Sequence, residues 1–259
     1  MYHLLKSHVY WYVSGTRFAT ERLSRNLPYT VFSHSSPLLR NLRNTDMWMQ
    51  YNKITNLSIA VGRLDGLVVG PGRVFSFWRQ LGKPAKAKGY LPGMVLSRGK
   101  VVPGIGGGLC QLSNLIYWMT LHTPLTVLER WRHGYDVFPD ADRKQPFGSG
   151  ATCAYPAIDL QIGNDTESTF QLLLEITETH LSGRWVSGTE PEHRYSIVER
   201  DHCFRLESWG GYTRNNRLFR QVFDSASGEL IGETPVTENR AVMMYSPLIE
   251  APVKPEQVH

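Results

Sequence analysis

The run Pro103-Gly104-Ile105-Gly106-Gly107-Gly108-Leu109-Cys110-Gln111-Leu112-Ser113-Asn114 constrains the fold more than any other stretch of the chain. Glycine weakens helix and strand interiors, so three in succession mark a turn or a place where backbone must approach backbone. Beyond them Leu115, Ile116, Trp118, Met119 and Leu121 recur at helical spacing until Pro124 ends the pattern. The spacing predicts a helix of about ten residues starting near Cys110 or Gln111. A cysteine placed there meets unpaired N–H groups and the positive end of the helix dipole, both of which favour a thiolate. The alternative is a small apolar residue packed beneath the turn, a common fate for a free cysteine.

With 259 residues, 41% apolar and 20% charged, the chain can bury a full core as one large domain or as a domain with an appendage. Cys110, Cys153 and Cys203 are odd in number, widely spaced and free of any C-x-x-C pair. Neither a disulfide framework nor a zinc knuckle is expected, and a reducing compartment suits them. No metal or other cofactor is expected, and the missing Gly-Lys-Ser/Thr after the glycines excludes a nucleotide P-loop. The nearly apolar stretch from Leu115 to Leu128 is interrupted by His122 and Pro124 and is too short to span a bilayer. Val9 to Val13 is too brief for a signal-peptide core. The expected location is cytoplasmic, with a membrane-peripheral variant.

That variant rests on where the net charge of +5 resides. Residues 1–45 carry Lys6, Arg17, Arg22, Arg25, Arg40 and Arg43 against Glu21 alone, and the remainder is balanced. Leu5, Val9, Tyr12 or Val13, Phe18, Leu23 and Leu27 can form an apolar stripe opposite these charges. A basic amphipathic arm of this kind suits an anionic membrane surface or a phosphorylated ligand, and equally a helix docked on the main domain. Nucleic acid is not an expected partner, because no basic stripe with interleaved aromatics lies outside the arm.

The pattern along the chain predicts an α+β fold in three parts. Residues 1–45 read as a basic helical segment, with Ser33-His34-Ser35-Ser36-Pro37 as a breaker and a short helical piece near Leu38 to Leu42. Residues 46–176 read as a core domain in which the cysteine-bearing helix packs on an antiparallel sheet. Its elements are a helix over Asn52 to Ala60, strands at Leu67-Val68-Val69 and Val74 to Phe77, and a hairpin around Arg98-Gly99-Lys100. Further strands are expected at Thr126 to Leu128, Asp136 to Phe138, Ile158 to Ile162 and Phe170 to Ile176. Residues 177–259 read as an antiparallel β extension with turns at Asn215-Asn216 and Ser227-Gly228.

A nucleophilic cysteine needs a base and a group that orients the base. His133 follows Cys110 by 23 residues, and Asp159 lies 26 further on in a probable strand. Helix cysteine, then strand histidine and acid, is the layout of papain-like and transglutaminase-like enzymes. The competing reading makes His133 an exposed loop residue and Asp159 a backbone or arginine partner. His122 also competes as base, but it stands about 18 Å along the same helix. Gly106, Gly107 and Gly108 could present N–H groups to an oxyanion or simply admit close packing. Gln111, Ser113 and Arg130 are further candidates for an oxyanion or ligand. Trp78, Tyr90, Tyr117, Trp118 and Trp131 could wall a groove or fill the core.

Phe75-Ser76-Phe77-Trp78, the block from Gly106 to Asn114, Glu129-Arg130 before His133, Ile158-Asp159-Leu160 and Asn164-Asp165-Thr166 together resemble the VanW family. Tyr195 to Val198 and Glu238-Asn239-Arg240 extend the resemblance over nearly the whole chain. The resemblance implies a link to cell-wall or peptidoglycan biology and to glycopeptide resistance. The resemblance also implies an aspartate in many relatives where this chain has Gly150, before Ala151-Thr152; were that aspartate the orienting acid, the triad here would be incomplete, and Asp159 is the alternative. The expected activity is a cysteine-dependent amide hydrolase or acyl transferase acting on a peptide or wall precursor, with Cys110, His133 and Asp159 as its machinery. The alternatives are a non-catalytic module binding such a precursor and a membrane-peripheral scaffold using residues 1–45.

Overall fold

The glycine run and the helix after it form the joint between the layers. In the computed structural model, which describes residues 11–39, 46–97, 99–137 and 145–247, the protein is α+β and mostly antiparallel. A first sheet has the order β1-β10-β9-β2, formed by β1 (Tyr29–Pro37), β10 (His180–Ser187), β9 (Phe170–Ile176) and β2 (Leu67–Val69). Its central strand β9 is an apolar run because it is covered on both faces. On it lie α1 (Met47–Leu64) and α3 (Cys110–Thr120); the short α2 (Phe77–Leu81) joins α1 at the side.

Helix α3 forms where the sequence pattern places it. Leu112, Leu115, Ile116 and Met119 are buried, and the Thr120 hydroxyl accepts from the Trp185 indole of β10 at 3.1 Å. Truncating one of these side chains to alanine would cost about 2–5 kcal/mol. Helix α1 buries Leu57, Ala60 and Leu64, together with Asn56, whose amide nitrogen donates to the carbonyls of Leu91 and Gly107. That side chain ties the glycine run to Leu91, just ahead of the strand that begins at Pro92. A three-stranded sheet β3-β8-β6 comprises Val74–Ser76, Gln161–Gly163 and Thr126–Glu129, and β4 (Pro92–Ser97) pairs with β5 (Lys100–Ile105) as a hairpin.

The C-terminal sheet consists of three long antiparallel strands, β11 (His193–Leu206), β12 (Tyr212–Asp224) and β13 (Leu230–Met243). The short β7 (Tyr135–Asp136) adds to β13 in parallel, so a segment that follows β6 in the chain completes this sheet.

Several sequence expectations need correction. Residues 1–10 and 40–45 of the expected helical segment lie outside the described residues, but Tyr29–Pro37 is a strand paired with β10 over its full length. Ser33 to Pro37, read as a breaker, is therefore edge strand: its small polar side chains suit a solvent-facing surface, and proline is tolerated at an edge. Leu38 and Leu39 are not helical. Asn215-Asn216 is not a turn. Both lie within β12, and Asn216 is buried, donating to the Phe147 carbonyl at 2.7 Å while accepting from Asn239 at 2.8 Å. The division after residue 176 falls inside the β9–β10 hairpin, whose strands pair from Ser187↔Phe170 to Leu181↔Ile176. Phe77 begins a helix instead of ending a strand, because the Ser76 hydroxyl accepts from the Arg79 N–H and caps it. Among the described residues, no helix is long and apolar enough to cross a membrane.

Candidate active site

Cys110 is the first residue of α3, and the chain reaches it through a turn that only glycine permits. A Cβ on Gly107 would lie 2.1 Å from the carbonyl carbon of Gly93 in β4, so hairpin and turn pack backbone on backbone. Gly108 has φ +94°, in the left-handed region, and the Lys53 side chain fills the space where its Cβ would stand. Among the described residues, the N–H groups of Gly108, Leu109 and Cys110 donate to no acceptor, whereas Gln111 N–H is taken by the Gly108 carbonyl. Three donors are thus left at the helix start.

The Cys110 sulfur lies 3.8 Å from the sulfur of Cys153 and 3.7 Å from the Cys153 carbonyl oxygen. Cys153 is buried, while Cys110 is only partly so. The two segments meet because Trp131 and Thr152 form an isolated antiparallel bridge, with Thr152 N–H donating to the Trp131 carbonyl at 2.8 Å. This bridge also brings His133 to the helix start. The Cys110 thiol is held well below its ordinary pKa, first by a hydrogen bond from Cys153, against the opposing effect of burial, and then by His133. His133 contributes both as a hydrogen-bonding partner of the sulfur and through its charge. Cys153 is pushed well above its ordinary value by its bond to Cys110 and by burial, with the Asp159 charge adding to the effect. One thiolate and one thiol are the stable combination.

Asp159 is placed differently from the expectation. One carboxylate oxygen accepts from Ser76 Oγ at 2.6 Å, and the other accepts from the N–H groups of Trp78 and Leu160, each at 2.9 Å. It anchors the start of α2, and no hydrogen bond joins it to His133 among the described residues. Burial is the main reason its pKa rises to about 6.

The other candidates serve the scaffold. Arg130 donates to the carbonyls of Gly148 and Gly150 and to Thr237 Oγ1, and its guanidinium lies 4.9 Å from the centre of the Tyr117 ring. It clamps the segment that leads to Cys153. The Gln111 amide donates to Ser36 Oγ and the Pro37 carbonyl, both at 2.9 Å, tying α3 to β1. Ser113 donates to the Ala151 carbonyl at 2.7 Å and lies 3.5 Å from the Cys153 sulfur. Gly150 faces the Asn114 side chain, which accepts from Ala151 N–H at 2.7 Å; a Cβ there would meet that oxygen at the same separation. Trp78, Tyr90, Tyr117 and Trp118 are core residues, and Trp131 is exposed. His122 is buried at the far end of α3, stacked on Phe32.

Sequence reasoning therefore named Cys110 and His133, which the fold brings together, and passed over Cys153. Only its place in the Gly150-Ala151-Thr152-Cys153 segment, just before Ile158-Asp159-Leu160, hinted at it.

Comparison with known proteins agrees with the resemblance seen in the sequence. The family model described as VanW like protein matches residues 52–186. The chain is 33% identical over 237 residues to the vancomycin B-type resistance protein VanW of Enterococcus faecalis (strain ATCC 700802 / V583), covering 92% of this chain and 86% of that protein. It is 28% identical over 109 residues to the uncharacterized protein YoaR of Bacillus subtilis (strain 168), covering 42% of this chain and 34% of that one. No solved structure matches it. By the family match and the near full-length identity, the chain belongs to the VanW family.

Proposed function

We propose that this protein is a cysteine-dependent enzyme that hydrolyses or transfers an acyl group from an amide in a peptide or cell-wall precursor. The observation that carries the reading is the state of Cys110: a helix-start sulfur that accepts a hydrogen bond from one thiol, feels a histidine and is held toward the thiolate. A relative named for vancomycin B-type resistance supports linking this chain to that resistance, and a substrate in the cell wall is the part of the proposal that the family resemblance implies.

In this mechanism the Cys110 thiolate attacks the substrate carbonyl, and a C–S bond forms. The N–H groups of Gly108, Leu109 and Cys110 are the candidates to receive the oxyanion. His133 serves as the acid that gives a proton to the leaving amine as the C–N bond breaks. Water or a second amine then attacks the thioester with His133 as base, and Cys110 is regenerated. Asp159 anchors α2 instead of orienting His133, and Cys153 is kept protonated chiefly by its bond to Cys110 and by burial. The side chains of Gln111 and Arg130 are already engaged, and the glycine turn is packed against β4, which weakens the reading as a pure binding module.

The test is intact mass spectrometry after incubation with wall-derived peptide amides and with activated esters of the same peptides. A covalent acyl adduct on the wild type that Cys110→Ala lacks is the expected result. Peptides that bind without any adduct or turnover would replace this reading with the binding module.

A further inference from the structure

We propose that Cys110 and Cys153 form a reversible disulfide on exposure to a hydroperoxide, with Cys153 as the resolving thiol, making the candidate nucleophile a redox-modified site. This rests on the reading of Cys110 as the reactive thiolate. Nothing in the cysteine spacing suggests it, since 43 residues separate the two.

The geometry is favourable. The sulfurs stand 3.8 Å apart, and a disulfide requires about 2.05 Å, so the pair must close by less than about 2 Å. Cys110 is partly exposed and Cys153 is buried behind it, so a small oxidant meets Cys110 first. Ser113, 3.5 Å from the Cys153 sulfur, holds the second thiol on the Cys110 side. Cys203, the third cysteine, is exposed on β11 and has no cysteine beside it among the described residues.

The chemistry balances in two steps. The Cys110 thiolate attacks one peroxide oxygen; an S–O bond forms, the O–O bond breaks, and the departing oxygen leaves as hydroxide, which takes a proton to become water. Cys153 then attacks the sulfenic sulfur; an S–S bond forms, the S–O bond breaks, and the leaving hydroxide takes the Cys153 proton as a second water. Two thiols are oxidised by two electrons while one peroxide is reduced to two waters. A dithiol reductant reverses the change.

The experiment treats the full chain with stoichiometric hydrogen peroxide, then alkylates and maps the peptides by mass spectrometry. The wild type should lose two hydrogens, yield a linked Cys110–Cys153 peptide pair, keep Cys203 alkylatable and recover both thiols with dithiothreitol. Cys153→Ser should give a sulfenic acid that a cyclic diketone traps and that excess peroxide carries to the irreversible sulfinic and sulfonic forms. Cys153→Ala provides a second variant should serine disturb the packing, and the peptide map of the wild type decides the matter without either. Over-oxidation of Cys110 in the wild type with no linked pair, or linkage only through Cys203 between molecules, would overturn the proposal. Because cross-linking is read without substrate, a linked pair without acyl transfer would refute the enzymatic reading alone.

Discussion

Val242 donates its backbone N–H to the carbonyl oxygen of Gly134 at 2.9 Å, one residue beyond His133. Met244 repeats the contact at Asp136, and the buried Asp136 carboxylate accepts from the Tyr245 hydroxyl at 2.8 Å and forms an ion pair with Arg214 at 3.5 Å. Arg132 adds a bond to the Arg240 carbonyl at 2.6 Å. The backbone that carries His133 is thus held by the C-terminal sheet, so a region far from Cys110 in sequence sets the position of its neighbour.

Tyr245→Phe tests this connection. Loss of a hydrogen bond to a charged, buried carboxylate should lower stability by about 1.5–3 kcal/mol, read as a shift in the urea midpoint. Cys110 should also alkylate more slowly near neutral pH, because a looser His133 stabilises the thiolate less. A variant that loses stability but keeps the wild-type alkylation rate would show that the sheet supports the fold without positioning His133.

The order of influences on Cys110 gives a second prediction. The bond from Cys153 is the largest factor favouring the thiolate, and His133 follows after the opposing effect of burial. In the pH dependence of Cys110 alkylation, with Cys203→Ser to remove the exposed thiol, Cys153→Ala should raise the apparent pKa more than His133→Ala does. The reverse order would make His133 the principal partner.

What the sequence revealed depended on whether the signal was local. Helix α3 was legible because Leu115, Ile116 and Met119 repeat at helical spacing and Pro124 ends the run, and β9 because Leu172, Leu173 and Leu174 form a short apolar block. Strand β1 was not, since a polar edge strand has the composition of a loop and its identity comes from β10, some 150 residues away. Asn215-Asn216 misled because asparagine favours turns, and here Asn216 instead satisfies buried partners across β12 and β13. At the site, Cys110 and His133 were legible from a glycine turn and chain order. The role of Asp159 was not: the expected strand begins only at Gln161, so Asp159 stands just before it, and its partners Ser76 and Trp78 come from a distant segment.

Close packing at the glycine run yields a contrast between two substitutions. Gly107→Ala would drive its Cβ into the Gly93 backbone at 2.1 Å, where no side chain can swing aside. It should cost about 3 kcal/mol or more and displace the start of α3, lowering both the urea midpoint and Cys110 reactivity. Gly134→Ala, beside His133, meets nothing within 4 Å and should change stability by about 0.5 kcal/mol or less. Equal effects would mean that β4 does not pack on the turn as described.

Two buried groups should oppose each other in acid. Burial lowers the pKa of His122 from 6.5 to about 4, despite the bond between its Nδ1 and the Trp118 carbonyl. The unfolded chain therefore takes up that proton first, and stability is lost as the pH falls through this interval. Burial raises the pKa of Asp159 from 3.8 to about 6, despite its bonds from Ser76 and Trp78, so the folded chain takes up the proton first and stability is gained as the pH falls. Each shift corresponds to about 3 kcal/mol, and in the wild type the two largely cancel. His122→Gln, which keeps a donor for the Trp118 carbonyl, should leave the Asp159 contribution and become relatively more stable at about pH 4.5 than at about pH 7. Asp159→Asn should do the opposite. Urea midpoints at the two pH values check both, and parallel slopes in the wild type and the two variants would show that neither group is buried in the state described.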